Sequence, residues 1–347
     1  MIETLLDRPA EWLSGEGAEA DYVLGCRCRL YRNLADFPFP SRCAEGEKRS
    51  VEDRIVNVLE SLNLMDTGVY WSLGDLDVRE MRFLAERYLI SPEFVEGEGS
   101  RGVYIADDQS FSIAVNDDNH LLLSALGSGL ELQETWARVN LIDDMLGSAL
   151  DFAFSERLGY LTTSVGDLGT GLSAGLILHL PALKMTNNIT PAHDLARDKR
   201  HLLIEMYGPR GEAHGDLYRL ANSSTLGRSE EEIIYHVKHI ATAIIDLERQ
   251  ARERLMADAP LQLDDRVGRG LGLARGARLL AFKEALSVLS SLRLGVSLGT
   301  QDQLSLRDLN EVFVASQSAH LQMKYGHDCD ELTLSSERAD LLRARFS

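Results

Sequence analysis

The segment YVLGCRCRLYRNL, residues 22–34, is the most informative stretch of this sequence. Apolar and aromatic residues alternate in it with arginines, a pattern typical of a β-strand. Arg27 and Arg29 are two positions apart, so their side chains leave such a strand on the same face. Cys26 and Cys28 have the same spacing and also share a face. The segment therefore predicts a strand that presents two arginines side by side.

The segments around this strand predict hairpins and long helices. RGVYIADDQSFSIAVND, residues 101–117, contains two β-rich runs joined by turn residues at 107–110. Strands in hairpin order between helices indicate an α+β domain with an antiparallel sheet. Residues 131–159 predict a long amphipathic helix, with apolar residues at helical spacing at Trp136, Val139, Leu146 and Leu150. Further helices are expected at 48–65 and from about Asp75, and further strands at 201–208 and 216–227.

The last quarter of the chain has a different pattern from the rest. Ser229 and Glu232 form a capping box that opens a helix running to about residue 256. Beyond Pro260 the apolar periodicity is purely helical. We therefore predict a domain boundary near residue 258, with an α+β domain over 1–257 and an all-helical domain over 258–347.

Length, charge and cysteine content exclude several classes of protein. The 347 residues suffice for two domains. The chain has 36 basic and 54 acidic residues and a net charge of −18, which argues against nucleic acid or an anionic membrane as the main partner. No apolar run approaches the ~20 residues of a membrane span, and the N-terminal segment lacks a signal pattern. We therefore expect a cytoplasmic protein, and its four cysteines are too few for a disulfide framework.

Two pairs of residues have side chains that bind metals elsewhere, but neither pair predicts a metal site. Cys26 and Cys28 lack a second Cys or His pair at zinc-finger spacing. His236 and His239 lie one helical turn apart with no third ligand nearby in the sequence, so a surface pair is the simpler interpretation. We expect no metal site built from side chains.

Four motif-like segments occur in a fixed order along the chain. They are CRCRLYRNLADFPFP (26–40), NDDNHL (116–121), LGYLTTSVGDLGTGLSAGLILHLPAL (158–183) and YGPRGEAHGDLYRLANSSTLGRSEEEII (207–234). In this order they resemble the guanidino kinases, the ATP:guanidino phosphotransferases. The helical segment from residue 262 to 299 resembles the carboxy-terminal domain of the bacterial protein-arginine kinase branch. Together the resemblances cover roughly residues 20–345.

The resemblance implies an ATP site built from arginines, with Mg²⁺ accompanying the nucleotide. Arginine suits this role because its planar guanidinium binds phosphate oxygens bidentately and keeps its charge. Arg27 and Arg29 match the first two phosphate-binding arginines of the family, and His120 matches the histidine of the NDDNHL motif. These three residues are the expected nucleotide contacts, with Arg210 as a replacement for an arginine missing at Tyr207.

The resemblance also implies carboxylates that hold the guanidinium of the substrate. Asp118 matches the first such carboxylate, one methylene shorter than the family's glutamate, and Glu212 matches the second. Ser164 stands where the family has a cysteine beside the substrate. Asp118, Glu212 and Ser164 are therefore the expected catalytic residues.

The sequence departs from the family pattern at several positions in this site. Leu122, Ser173 and Tyr207 replace three of the five phosphate-binding arginines, and Asp167 adds a negative charge near the phosphates. One arginine at a phosphoryl-transfer site can contribute about 10³–10⁵ in rate. The main prediction is therefore a catalytically impaired or inactive pseudokinase that acts in the regulation of protein quality control. The alternative is an active kinase that phosphorylates protein arginine, and a kinase of free guanidino compounds is a weaker third option.

The helical tail carries one further comparison. Protein-arginine kinases have an R-D-x-x-R-A motif associated with phosphoarginine binding; this chain keeps Arg338 and Ala339 but has Leu334 and Ser335 in place of R-D. The resemblance implies partners as well: protein arginine substrates, a zinc-binding adaptor, a Clp-type chaperone, and a second copy of the chain in a homodimer.

Overall fold

The computed structural model describes residues 2–6, 8, 10–208 and 213–347. Its central feature is an eight-stranded antiparallel sheet. The strands of both sheets in the described residues, numbered along the chain, are β1 (Val23–Arg32), β2 (Gly68–Ser72), β3 (Gly102–Ala106), β4 (Phe111–Val115), β5 (Leu121–Ser128), β6 (Phe154–Ser155), β7 (Gly159–Tyr160), β8 (Leu172–His179), β9 (His201–Glu205) and β10 (Leu217–Asn222). In the large sheet their order is β2-β3-β4-β5-β1-β8-β10-β9, and β6 pairs with β7 separately.

Helices flank this sheet and form the whole of the C-terminal region. They are α1 (Glu45–Ser61), α2 (Val78–Glu86), α3 (Pro92–Val95), α4 (Leu132–Gly147), α5 (Pro181–Met185), α6 (Thr190–Asp198), α7 (Glu230–Asp258), α8 (Pro260–Gly276), α9 (Phe282–Ser297), α10 (Leu306–Ala315), α11 (Ser318–Tyr325) and α12 (Glu331–Phe346). In the part of the chain that the structure describes, no helix is long and apolar enough to cross a membrane.

Strand β1 lies in the middle of the sheet, between β5 and β8. Arg27 is opposite Leu126 on β5 and Gly175 on β8. Arg29 is opposite Ser124 and Ser173 on the same two strands. Because side chains alternate across a strand, both arginines emerge from the same face near the centre of the sheet. We call this face the arginine face.

The opposite face of the sheet carries the main hydrophobic core. Cys26 and Cys28 lie here, both buried, and the Cys26 Sγ lies 3.2 Å from the Thr135 Oγ1 of α4. Leu30 of the same strand is completely buried. Helices α1, α4 and α7 contribute apolar side chains to this core, including Ile55, Val139, Ile233 and Val237. The two cysteines are therefore part of the core, where burial raises the pKa of both thiols.

The predicted helix over 131–159 is too long. Helix α4 ends at Gly147, and the chain then runs beside the segment that follows β1: the Ala35 amide donates to the Asp151 carbonyl at 2.9 Å, and the Ala153 amide to Asn33 at 2.7 Å. These bonds to a distant segment replace helical ones. Leu150 thus lies outside the helix but is still buried.

The capping box predicted at Ser229 is present. The Ser229 hydroxyl accepts from the Glu232 amide at 3.2 Å, and the Glu232 carboxylate accepts from the Ser229 amide at 3.1 Å. Helix α7 runs from there to Asp258, and α8 begins two residues later at Pro260. The rest of the chain is helical, as the apolar periodicity predicts.

Polar contacts join the helical region to the edge of the sheet. Asp216, before β10, accepts hydrogen bonds from Ser290 of α9 at 2.5 Å and from Arg266 of α8. The Ser290 hydroxyl also lies 2.9 Å from the Nε2 of His179, at the end of β8. Since all of these groups except Arg266 are buried, the helical region is held at a defined position on the sheet.

Candidate functional site

The arginine face carries positive charges that the fold does not neutralise. Arg27 and Arg29 are half-buried, and neither has a hydrogen bond or ion pair with any residue in the described ranges. The Nε of Arg29 is buried without a partner. Buried polar groups are normally hydrogen-bonded, and a charged one is costly when it is not. Two unpaired guanidinium groups at the centre of a sheet therefore indicate a site for an anion.

Neighbouring groups hold Arg27 in a strongly positive environment. Its guanidinium carbon lies 5.9 Å from the centre of the Tyr88 ring, which follows α2. Burial, and then the charges of Arg29 and Arg219, hold the pKa of Arg27 well below its ordinary value. An anion bound here would relieve that repulsion.

Arg219, on β10, was missed by the sequence analysis. It lies opposite Ile177 of β8 and Ile204 of β9, and its side chain is exposed. The signal was present, because Arg219 alternates with the buried Tyr218 and Leu220 in the segment LYRLAN. Its relation to Arg27 depends on the order of the strands, which that segment does not reveal.

The carboxylate expected at Asp118 lies in the exposed turn between β4 and β5. Two hydrogen bonds tie this turn to the loop before β8: the Thr163 hydroxyl donates to the Asp118 carbonyl at 2.5 Å, and the Thr163 amide donates to the Asn119 side chain at 2.9 Å. The turn therefore brings the Asp118 carboxylate to the same end of the sheet as this loop.

Two further aspartates surround Asp118. Burial raises the pKa of Asp117, and the charge of Asp118 raises it further, while Arg29 opposes the shift. Burial and Asp118 likewise raise the pKa of Asp167. The end of the sheet beside Arg29 is thus acidic, an arrangement suited to holding a cationic guanidinium.

Ser164, the expected replacement for the family cysteine, lies in the loop that contacts Asp118. Its side chain is exposed, and its carbonyl accepts from the Thr162 hydroxyl at 2.8 Å. A hydrogen bond from Ser164 partly offsets the rise in the pKa of Asp167. The structure therefore brings Ser164, Asp118 and Asp167 together at one edge of the arginine face.

His120 is completely buried. Its Nδ1 accepts from the Leu34 amide at 3.0 Å, and its Nε2 lies 3.8 Å from the Cys43 Sγ. Burial lowers the pKa of the imidazole to about 4. The ring holds the segment after β1 in place, and contact between His120 and a nucleotide remains a prediction.

Leu122, Ser173 and Tyr207, where the sequence comparison predicts that arginines are missing, border the arginine face. Leu122 lies opposite Tyr31 on β1, with 4% of its surface exposed. Ser173 lies directly opposite Arg29. Both side chains are uncharged and lie on the same face of the sheet as Arg27 and Arg29.

Tyr207, the third of these positions, belongs to an aromatic cluster. Its hydroxyl lies 2.5 Å from that of Tyr88, and both tyrosines have left-handed backbone conformations, with φ of 61° and 64°. The Tyr207 ring packs edge-on against Phe282 and Phe313 of the helical region, each at 5.7 Å. Strained backbone of this kind persists where surrounding packing enforces it. The tyrosine pair thus connects the arginine face to the helical region.

Two expected site residues, Glu212 and Arg210, lie outside the described residues. The second substrate carboxylate and the proposed replacement for the arginine at Tyr207 therefore stay predictions from the sequence.

The metal-binding candidates and the tail motif are the remaining features predicted from the sequence. Within residues 2–6, 8, 10–208 and 213–347, no group of three or more His, Cys, Asp or Glu side chains is placed to hold a metal ion. In the tail, Arg338 is completely buried and donates to the carbonyls of Ser316 and Leu280 at 2.7 and 2.9 Å. That guanidinium stabilises the helical region, while Leu334 and Ser335 are buried beside it.

Comparison with known proteins identifies the family. A family model described as the ATP:guanido phosphotransferase C-terminal catalytic domain matches residues 50–251. The chain belongs to the ATP:guanido phosphotransferase family. A second model, described as the protein-arginine kinase McsB C-terminal domain, matches residues 260–347. Membership of this ATP-using family implies ATP as the nucleotide.

Full-length relatives and solved structures agree with this assignment. The chain is 38% identical to the protein-arginine kinase of Symbiobacterium thermophilum and 35% identical to that of Halothermothrix orenii, with 97% of each chain covered. The taurocyamine kinase of Schistosoma mansoni superposes with a TM-score of 0.61 at 20% identity, covering 68% of this chain and 34% of that one. Lombricine kinase superposes with a TM-score of 0.58 at 23% identity, covering 70% and 71%. At these identities the structures show the fold alone.

The predicted fold class is confirmed. The ATP:guanido phosphotransferase domain contains the eight-stranded antiparallel sheet with its flanking helices, and a helical domain of the protein-arginine kinase branch follows it. The chain is a homologue of protein-arginine kinases over nearly its whole length.

Proposed function

We propose that this chain is a protein-arginine kinase that transfers the γ-phosphoryl group of ATP to arginine side chains of proteins. The observation that carries the proposal is the pair of unpaired arginines, Arg27 and Arg29, at the centre of the sheet. Had the site been abandoned, nothing would retain two neighbouring charges that the fold leaves without a counter-charge. Full-length likeness to protein-arginine kinases supports the same proposal.

The reaction assigns a role to each group. A guanidinium nitrogen of the substrate attacks the γ-phosphorus, the bond from that phosphorus to the bridging oxygen breaks, and ADP leaves. Arg27 and Arg29 neutralise charge on the phosphates as it builds up. The carboxylates of Asp118 and Glu212 orient the substrate guanidinium and accept the proton it loses. Mg²⁺ is proposed to accompany the nucleotide, held by phosphates and water.

The missing arginines set an expected limit on the rate. Leu122, Ser173 and Tyr207 offer no positive charge to the transition state. Positioning and electrostatic stabilisation are nearly all that a protein contributes to phosphoryl transfer. We therefore propose slow turnover relative to family members that have all five arginines.

A second candidate follows from the same three positions. The chain is then a catalytically inactive member that retains the fold and regulates protein quality control as a binding partner. The observation favouring it is Tyr207, whose side chain is built into a packed aromatic cluster rather than directed at a ligand. A proposed zinc-binding adaptor, a Clp-type chaperone and a homodimeric, cytoplasmic state apply under either candidate, as does a domain boundary near residue 258.

The deciding experiment is a phosphoarginine assay. The purified chain is incubated with Mg·ATP and an unfolded protein substrate, and acid-labile phosphoarginine is identified by mass spectrometry. Formation of phosphoarginine that is lost in Arg27→Ala and in Glu212→Ala supports the kinase. No product at saturating nucleotide rejects it in favour of the inactive partner. Free arginine as the acceptor tests the third option, a kinase of small guanidino compounds.

A further inference from the structure

We propose that Arg219 is a third arginine of the phosphate site and supplies, from strand β10, a positive charge missing at Leu122, Ser173 and Tyr207. In naming a nucleotide phosphate as the ligand, this inference rests on the proposed function. The position of Arg219 in the sheet is independent of that function.

Strand register places Arg219 on the same face as Arg27. On β8, Gly175 lies opposite Arg27 of β1 and Ala221 of β10. Arg219 is two residues before Ala221, and side chains two apart on a strand share a face. Arg27 and Arg219 therefore emerge on either side of β8, one on each neighbouring strand.

Strand β8, which lies between these two arginines, is partly exposed on this face. Along β8, Ser173, Gly175 and Ile177 are half-exposed and alternate with buried residues. Gly175 has no side chain, and an added Cβ would come within 2.8 Å of the Leu220 carbonyl and 3.3 Å of the Ala221 Cβ. Ser173 and Gly175 leave room above β8 beside Arg29 and Arg27, whereas Ile177, opposite Arg219, is a larger side chain that packs against apolar residues. A ligand held between the arginines would therefore lie above Ser173 and Gly175.

Arg219 has no counter-charge of its own. It forms no ion pair or hydrogen bond with any residue in the described ranges. Burial raises the pKa of Tyr88, while the hydrogen bond with Tyr207 and then the charges of Arg27 and Arg219 act in the opposite direction, so both guanidinium groups influence the same phenol. Arg29, with its buried unpaired Nε, completes the group on β1.

Three like charges on one face of the sheet are unfavourable without a ligand. An isolated exposed arginine needs no explanation, because water solvates it. Three of them directed at one surface raise each other's energy, and a polyphosphate with several negative oxygens removes that cost at once. Arg219 thus gives a tri-cationic site to a protein whose net charge of −18 otherwise repels nucleotides.

The test is calorimetric titration with tripolyphosphate, which presents the phosphate chain without adenosine, and then with ADP. The variants are Arg219→Gln, Arg219→Lys and, as matched control, Arg254→Gln, which removes an exposed arginine of α7 on the opposite side of the sheet. Arg219→Gln should weaken tripolyphosphate binding roughly tenfold or more, as expected for one charged contact. Arg219→Lys should keep most of the affinity, and Arg254→Gln should match the wild type.

A purely structural role would have a different signature. Arg219→Gln should melt at the wild-type temperature or above it without ligand, because it removes one of three repelling charges. A lower melting temperature with unchanged affinity overturns the inference. So does absence of tripolyphosphate binding by the wild type, or an equal loss of affinity in Arg254→Gln.

The phosphoarginine assay separates this inference from the proposed function. Tripolyphosphate binding that depends on Arg219, in a protein that forms no phosphoarginine, rejects the kinase but leaves the phosphate site in place. Phosphoarginine formed by Arg219→Gln at the wild-type rate, with unchanged affinity for ADP, rejects the role of Arg219 but leaves the kinase in place.

Discussion

Strand β1 contains two kinds of arginine within six residues. Arg32, at its end, is 1% exposed and lies 2.6 Å from the Asp143 carboxylate. It also donates to the Thr170 carbonyl at 2.9 Å and stacks 3.5 Å from the centre of the Tyr160 ring. Arg27 and Arg29 have no ion pair or hydrogen bond among the described residues, and Arg27 has only the more distant Tyr88 ring, 5.9 Å away.

This is the difference expected between an arginine that stabilises the fold and arginines that bind a ligand, the role proposed for Arg27 and Arg29. Arg32 has its counter-charge inside the protein, so its contribution is to stability. Arg27 and Arg29 lack one, so we expect them to lower the stability of the protein when no anion is bound. Substitution of either kind should therefore affect a different property, stability for Arg32 and ligand affinity for Arg27 and Arg29.

The largest effect is expected from Arg32→Ala. It leaves the Asp143 carboxylate buried without its partner, and breaking a buried ion pair in this way costs about 3–5 kcal/mol. Denaturant unfolding followed by circular dichroism measures the loss. The matched control is Arg54→Ala, which breaks an exposed pair with Asp36 of similar length, 2.7 Å, and should cost less than about 1 kcal/mol. Equal losses in the two variants would remove the distinction.

The next effect is on ligand binding. Replacing Arg27 and Arg29 together by alanine should weaken Mg·ATP binding about 100-fold or more, since two charged contacts are lost. The free energy of unfolding without nucleotide should not fall, because no internal ion pair is broken. Calorimetry measures the affinity for Mg·ATP and thermal melting measures the stability without nucleotide, with Arg254→Ala as control. A fall in stability like that of Arg32→Ala, at unchanged affinity, would place these arginines in the fold instead.

A third prediction concerns His120, a buried group with its partner inside the protein. Burial lowers its pKa from 6.5 to about 4, so the unfolded chain takes up a proton that the folded chain resists. The stability it contributes is therefore complete above pH 6.5 and is lost as the pH falls towards 4, by about 2 kcal/mol at pH 5. His120→Gln should lose correspondingly less stability between pH 7 and pH 5 in guanidinium titrations. An identical loss in both proteins would mean that other groups account for the acid sensitivity.

The smallest effect is expected from Leu122→Arg, which adds a further arginine to the arginine face at a position where the resemblance predicts one. Affinity for Mg·ATP should rise roughly tenfold, the effect of one charged contact. Without nucleotide the melting temperature should fall, because Leu122 is 4% exposed and the new charge has no partner. Leu122→Met controls for the change of shape. If Leu122→Arg binds nucleotide no better, position 122 does not face the phosphates.

Local patterns in the sequence predicted much of the fold. The alternation in β1, the turn at 107–110 and the capping box at Ser229 each depend on residues a few positions apart. The predicted end of α4 was wrong because the chain beyond Gly147 pairs with the segment after β1, where Ala35 donates to Asp151 and Asn33 accepts from Ala153, and no helical pattern contains such pairing. Local sequence patterns therefore predict which helices and strands form, whereas the ends of these elements also depend on contacts with residues distant in the sequence.

The residues of the candidate site likewise fall into those predicted from local motifs and those revealed only by the fold. Arg27, Arg29 and Asp118 were identified by motif, and the structure places them around one end and the centre of the arginine face. Arg219 and Tyr88 were not, because their closeness to Arg27 follows from the strand order β1-β8-β10 and from the strained turn after α2. A motif identifies residues that stand at a fixed spacing along the chain, and neither Arg219 nor Tyr88 stands at such a spacing from Arg27.

The positions of the four cysteines allow thiol labelling to measure how often β1 separates from α4. Cys26 and Cys28 are buried on the strand that carries the paired arginines, and Cys43 and Cys329 are partly accessible. A thiol reagent will therefore label two sites in the native protein, and the other two only when β1 separates from α4. The rate at which Cys26 and Cys28 are labelled, with and without nucleotide, measures how much a ligand on one face of the sheet suppresses local unfolding on the other face.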